Sequence, residues 1–360
     1  MVYKIFPEKS ATLYSYYPTL NSGIDEVLEL STYFSIGGTY EVSRPIIKFP
    51  QDEITDIITN KVGTSSYSAS LKLSLAYSTQ LPLNYSIYCY PLAVDWNVGT
   101  GRLANSPITT DGVSWGFTTE ISGSTWFDTV IPGTTSSYNT NVGGGLWYTG
   151  SSYETTQSFT RISDKDITLN VTDIVDSWFS SSIDNNGFIL KHSNTLEFST
   201  SSVFETKYFS GNTHTIYPPY LEIKWDDSYY SSSLSQPSSA NIVVSLGNNQ
   251  SIYQQDAIQR FRINVRDQFP ARTFQTSSVY LNNKILPSSS YWSIKDLDTD
   301  EVVVDFDTSF TKISADNTGN YFDLYMSGLE CSRYYKILIK TTLDSNTLVI
   351  DNNLFFKVVR

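Results

Sequence analysis

The chain has 360 residues and a formal net charge of −12, with 26 Tyr, 19 Phe and 7 Trp but only 2 Met, 2 Cys and 2 His. Aromatic and β-branched side chains suit half-buried pleated surfaces and Gly with Pro supplies turns, so the composition predicts an all-β protein with room for two cores. It excludes a disulfide framework, disfavours nucleic acid and anionic membranes as partners through its acidity, and holds no apolar run near the ~20 residues of a membrane helix.

Residues 1–10 lack an apolar signal region, which predicts synthesis in a reducing cytoplasm with Cys89 and Cys331 as free, buried thiols. The acid is uneven: residues 1–237 carry 12 Lys and Arg against 23 Asp and Glu, residues 238–360 12 against 13. Strands or strand-ending turns are expected at Ala11-Thr-Leu-Tyr-Ser15, Tyr17-Pro-Thr-Leu-Asn21-Ser-Gly23, Ser43-Arg-Pro-Ile-Ile-Lys-Phe-Pro50 and Ala69-Ser-Leu-Lys-Leu-Ser-Leu-Ala76. One short helix is expected within 166–178, where Val171, Ile174, Val175 and Trp178 build an apolar stripe and Asn170 is placed to cap it. Gly187-Phe-Ile-Leu190 then enters a strand.

These pieces, in this order, resemble the DNRLRE family of β-sandwich modules, whose helix reads D-V-T-x-x-V-x-x-W where this chain has Asn170-Val171-Thr172, Val175 and Trp178. The resemblance covers about 10–225 and implies a jelly-roll-like sandwich that attaches rather than catalyses. Such modules occur as carbohydrate-associated domains and in structural proteins of tailed phages. Between about 90 and 150 lies a long Gly-, Thr- and Trp-rich insertion that also looks like insertions found in tailed-phage virion proteins. Because long loops are commonly functional and Trp is enriched at interface hot spots, Trp96, Arg102, Trp115, Trp126 and Trp147 are expected to contact neighbouring proteins.

A Ser-rich linker is expected over 227–239, dividing a first domain (1–226) from a second (240–360). In the second, Tyr291–Phe306 reads as a hairpin around an Asp-Thr-Asp turn. Leu329 lies six residues before Tyr335, which alternates onward through Ile337 and Ile339; this resembles the tyrosine corner of immunoglobulin and fibronectin type III sandwiches. In Arg260-Phe-Arg-Ile-Asn-Val-Arg266 the apolar residues share one face, leaving Arg260, Arg262 and Arg266, with Arg272, to dock an acidic neighbour or to pair with Asp256 and Asp267.

Catalysis finds little material. With only His192 and His214 there is no basis for a histidine triad or a histidine-rich zinc site, and His192 at a strand end reads as structural. Asp296, Asp298 and Asp300 alternate, but no Gly and Glu follow at calcium-loop spacing; Gly143-Gly-Gly145 lacks the Lys of a phosphate loop. The expectation is a non-enzymatic virion component without cofactor, assembled in the host cytoplasm in several copies beside other virion structural proteins. The alternative is a carbohydrate- or receptor-binding module. The two are separated by whether several aromatics share one exposed strip or are dispersed through a core and a protein interface.

Overall fold

The computed structural model describes residues 1–35, 37–128, 131–135, 143–201, 203–270 and 283–360. The protein is all-β, and its backbone divides into two compact units, residues 5–63 with 68–222 and residues 1–4 with 64–67 and 223–360.

The strands up to residue 225 are β1 (Val2–Ile5), β2 (Lys9–Tyr14), β3 (Val27–Phe34), β4 (Tyr40–Lys48), β5 (Tyr67–Leu73), β6 (Leu75–Thr79), β7 (Asn84–Pro91), β8 (Thr134–Thr135), β9 (Trp147–Tyr148), β10 (Thr155–Thr160), β11 (Ile167–Asn170), β12 (Phe188–His192), β13 (Phe204–Phe209) and β14 (Tyr220–Trp225). In the larger unit the main sheet runs β10-β7-β12-β4-β3-β13-β6, with β2 also on β4. Residues on β3 and β13 alternate between the two faces: Leu28 and Leu30 are buried while Glu29 and Ser31 are half-exposed, and Phe204, Thr206 and Tyr208 are buried while Glu205 and Lys207 are not. A second sheet pairs β11 with β5, Leu169 opposite Leu71, and both of these side chains are buried.

The helix expected within 166–178 is α2, Thr172–Phe179, and residues 167–170 before it are strand β11. Asn170 Oδ1 accepts the Thr172 amide at 3.1 Å, and the stripe Val171, Ile174, Val175 and Trp178 is buried. An unexpected helix, α1 (Gln51–Asp56), runs into a π-helical turn, Ile57–Val62, and buries Ile54, Ile57, Ile58 and Val62.

The smaller unit is a two-sheet sandwich. Its strands are β15 (Ile242–Leu246), β16 (Ile252–Gln254), β17 (Ile258–Asp267), β18 (Tyr291–Asp296), β19 (Val302–Val304), β20 (Ser314–Asp316), β21 (Gly319–Tyr325), β22 (Tyr334–Leu343) and β23 (Asn346–Val359), in sheets β15-β17-β21-β20 and β16-β23-β22-β18-β19. Rings close the space between the sheets: Trp292 stacks on Phe322 at 4.9 Å, and Phe261 lies 5.3 Å from Phe356. The Tyr335 hydroxyl donates to the Glu330 carbonyl at 2.9 Å, the bond a tyrosine corner makes. The Asp-Thr-Asp hairpin joins β18 to β19, and buried Asp296 accepts the Asp298 and Thr299 amides and the Arg333 guanidinium.

The Ser-rich segment expected to be a free linker is laid along this unit. Tyr230 bridges to Ala315, Ser231 N donates to Ala315 O, the Tyr230 hydroxyl bonds Leu286 O at 2.6 Å and Ser233 bonds Asn317. Serine contributes backbone and hydroxyl hydrogen bonds here without needing an apolar face. Residues 1–4 belong to the same unit: Met1, Val2 and Tyr3 are buried, Trp225 N donates to Met1 O, and the Tyr3 hydroxyl bonds Ser327 Oγ at 2.7 Å.

Candidate functional site

The tryptophans expected at a protein interface are core. Trp96, Trp115, Trp126 and Trp147 are each no more than 3% exposed and pack with Leu13, Val42, Ile46 and Ile189 against one face of the main sheet. Two of the indoles donate within the chain, Trp96 Nε1 to Asn186 O and Trp126 Nε1 to Ser114 O. A long segment whose strands are only the short β8 and β9 supplies a face of the core with large rings because rings cover much area per residue.

Asn21 pins this segment. Its side chain, fully buried, donates to Val98 O (2.7 Å) and Val113 O (2.9 Å) and accepts the Gly101 amide (2.7 Å). Beneath the rings lies a buried charge cluster. Arg44 grips Glu197 through two bonds of 3.1 and 2.8 Å, donates to Gly144 O at 2.6 Å and lies 4.8 Å over Trp115. Lys191 Nζ sits 3.5 Å from the same carboxylate. Burial pushes the Lys191 amine down to about 8 despite Glu197, and pushes His192 down to about 4. In Glu197 burial raises the pKa, yet Arg44 and Lys191 together hold it below the ordinary carboxylate value. This cluster has no exposure through which to meet a ligand; it locks the insertion onto the sheet.

Across β2, β4, β3, β13 and β6 the opposite face of the same sheet carries a groove. Registers place Tyr14 opposite Ser43, Ser43 opposite Ser31, Ser31 opposite Glu205 and Glu205 opposite Thr79, a row across five strands; Tyr33 opposite Glu41 begins the next. These side chains, with Tyr16, Tyr17 and Leu103, line a groove of about 420 Å³. Tyr16, Tyr17 and Tyr33 are 58%, 39% and 38% exposed, and the Tyr16 and Tyr17 rings meet edge to face at 4.7 Å. Along the floor Ser31 Oγ donates to Glu29 at 3.0 Å and shares a 2.8 Å bond with Ser43 Oγ. Lys207 lies 2.7 Å from Glu205 and 3.4 Å from Glu29. Burial raises Glu29 above its ordinary value, Lys207 draws it down and Glu205 adds to the rise; burial, with Glu29 beside it, lifts the Tyr14 phenol well above its own. Such a surface offers ring faces, hydroxyls and carboxylate acceptors in one concavity. No group of three or more His, Cys, Asp or Glu suited to a metal ion occurs among the described residues.

The arginine face points away from the sandwich core as its alternation predicts, but its partners differ. Arg260 makes a two-pronged bond to Asp323, both at 2.8 Å, and Arg262 pairs with Asp316 at 2.7 Å; both guanidinium groups lie over the Tyr321 ring. The acids are supplied by neighbouring strands rather than by Asp256 and Asp267, since cross-strand residues are closer than those displaced along the strand. Among the described residues, Arg266 bonds the Asp267 carbonyl, at 3.3 Å. Arg102 is half exposed, 3.6 Å from Glu26, and Arg272 lies outside the described residues. His214 is 88% exposed, and His192 is fully buried with Nδ1 3.4 Å from Ser86 O.

Sequence reasoning missed the groove. Tyr14, Tyr16 and Tyr17 fell inside the opening motif, and the available signal was the alternation Glu29-x-Ser31-x-Tyr33, which reads as a polar and aromatic outer face.

No family model matches the chain, and no curated protein matches it. Among solved structures it is similar to a DUF4785 family protein from Legionella pneumophila (8% identity, 98% of this chain and 65% of that chain, TM-score 0.17). It is also similar to the β-glucuronidase of Parabacteroides merdae (8%, 96% and 36%, TM-score 0.17). The chain spans less than two thirds of either protein, and likeness at this level carries no argument about fold or function.

Proposed function

We propose that the protein is a non-catalytic attachment module that holds a carbohydrate in the tyrosine-lined groove. The observation that carries this reading is the shared placement of exposed Tyr16, Tyr17 and Tyr33 with serine hydroxyls and carboxylates in a concavity of ligand size. Rings stack on sugar faces while fixed acceptors take the sugar hydroxyls. The tryptophans expected as anchors for a protein-protein connector are core, so they lend that alternative no support. The likeness of the opening strands to DNRLRE modules still supports a place on a tailed-phage particle, where the groove would meet a surface glycan.

Titration calorimetry against neutral oligosaccharides tests the reading. Tyr16→Ala with Tyr17→Ala is expected to weaken binding at least tenfold while the melting curve is unchanged, because both rings are exposed. Reducing-end release belongs in the same assay: Glu29, raised by its burial, shares its face with Glu205, and turnover would replace attachment by glycoside hydrolysis. Absence of the chain from purified phage particles would remove the virion placement alone.

A further inference from the structure

Glu29, Glu41 and Glu205 line the groove, and among the described residues no Lys or Arg does. Lys207 stands beside them and bonds Glu205 and Glu29, offsetting one negative charge and leaving two. Glu41, on β4 opposite Tyr33, makes no ion pair among the described residues. The ring faces of Tyr16, Tyr17 and Tyr33 add their own preference, since the negative face of an aromatic ring attracts a cation. A neutral sugar would use the rings and hydroxyls but leave the carboxylates uncompensated, and a uronic acid would be repelled by them.

We propose that the groove selects sugars carrying a protonated amine, so that glucosamine units are held in preference to their N-acetylated counterparts and to uronates. The inference rests on the carbohydrate reading above and adds charge complementarity to it. Stacking on tyrosine fixes the ring, and Glu41 with the partly neutralised Glu29 and Glu205 receives the ammonium.

The experiment uses the full chain and three probes at pH 6: a glucosamine tetramer, the N-acetylglucosamine tetramer and a galacturonate tetramer. The first two differ at each residue only in the charge and the acetyl group. The glucosamine tetramer is expected to bind at least tenfold more tightly than the N-acetylated one, with the advantage shrinking in 0.5 M salt as exposed charges are screened, and the galacturonate tetramer is not expected to bind. Glu41→Gln should reduce the preference, read as the ratio of the two affinities in the same variant, to about threefold or less. Equal binding of the first two probes overturns the amine preference and leaves the carbohydrate reading in place. Binding of no sugar, charged or neutral, overturns both. A preference that persists undiminished in a folded Glu41→Gln variant assigns the attraction to the acidic chain as a whole and also overturns the proposal.

Discussion

Arg44 is fully buried, and its position explains why this arginine sits in a strand among Ile and Pro. It forms half of a desolvated pair whose other half, Glu197, also answers Lys191. Removing one partner of such a pair costs more than removing an exposed charge, because the survivor stays buried without compensation. Glu197→Gln strands two cations, whereas Arg44→Met leaves the Lys191–Glu197 pair, so urea unfolding should give losses of about 5 and about 3 kcal/mol respectively. His192 supplies a pH dependence. Burial holds its folded pKa near 4 against 6.5 for the free side chain, so between those values the unfolded chain takes up the proton first. Stability is therefore lost as pH falls from 6.5 towards 4, by up to about 3 kcal/mol, and is indifferent to His192 above that window. His192→Gln should flatten this limb of the stability profile relative to the parent, measured by thermal unfolding at closely spaced pH values.

At the level of elements, the insertion between β7 and β9 has only the two-residue pairing of β8 with β9 as a ladder and is held elsewhere by side-chain pins and isolated backbone bonds. Asn21→Ala would leave the Val98 and Val113 carbonyls and the Gly101 amide without their partner, at about 1–3 kcal/mol for each buried group. Hydrogen exchange should then accelerate in residues 97–115 before it does in β3 or β4. Gly112→Ala acts on the same joint, since a Cβ there would stand 2.5 Å from the Gly99 Cα. Much of the frame was legible: alternation marked β17 and β22, three- and four-residue spacing marked α2, and the Leu329–Tyr335 spacing marked the corner bond. The same spacing is present in Ile54, Ile57, Ile58 and Val62, the apolar side that α1 and the π-helical turn after it bury, but β-branched residues favour strand and mask it. The tryptophans misled for a physical reason: a ring's size fixes that it must be covered, not whether its own chain or another covers it. Tyr16 and Tyr17 were unreadable as site residues because they follow β2 in a bend, and only the folded chain brings that bend beside the strands that carry Glu41 and Glu205.

For the whole molecule, the division of the backbone means that a lesion near the start is felt by residues near the end. Tyr3 is 3% exposed, meets Tyr325 at 5.9 Å and bonds Ser327, so Tyr3→Ala should cost about 3 kcal/mol and lower the thermal transition of the 223–360 unit, with little change in that of residues 5–222. The two transitions can be followed separately by exchange-coupled mass spectrometry. The placement of residues 1–4 also sets a timetable for biosynthesis. A ribosome adding about 5–20 residues per second makes Tyr3 roughly 16–65 s before its partners Tyr325 and Ser327. The 5–222 unit can close while translation continues, but the other unit stays unfinished until the carboxyl-terminal strands emerge, and the first strand must remain unclaimed until then. An amino-terminal fusion that engages this strand early would thus trap a nascent chain whose every later residue is correct.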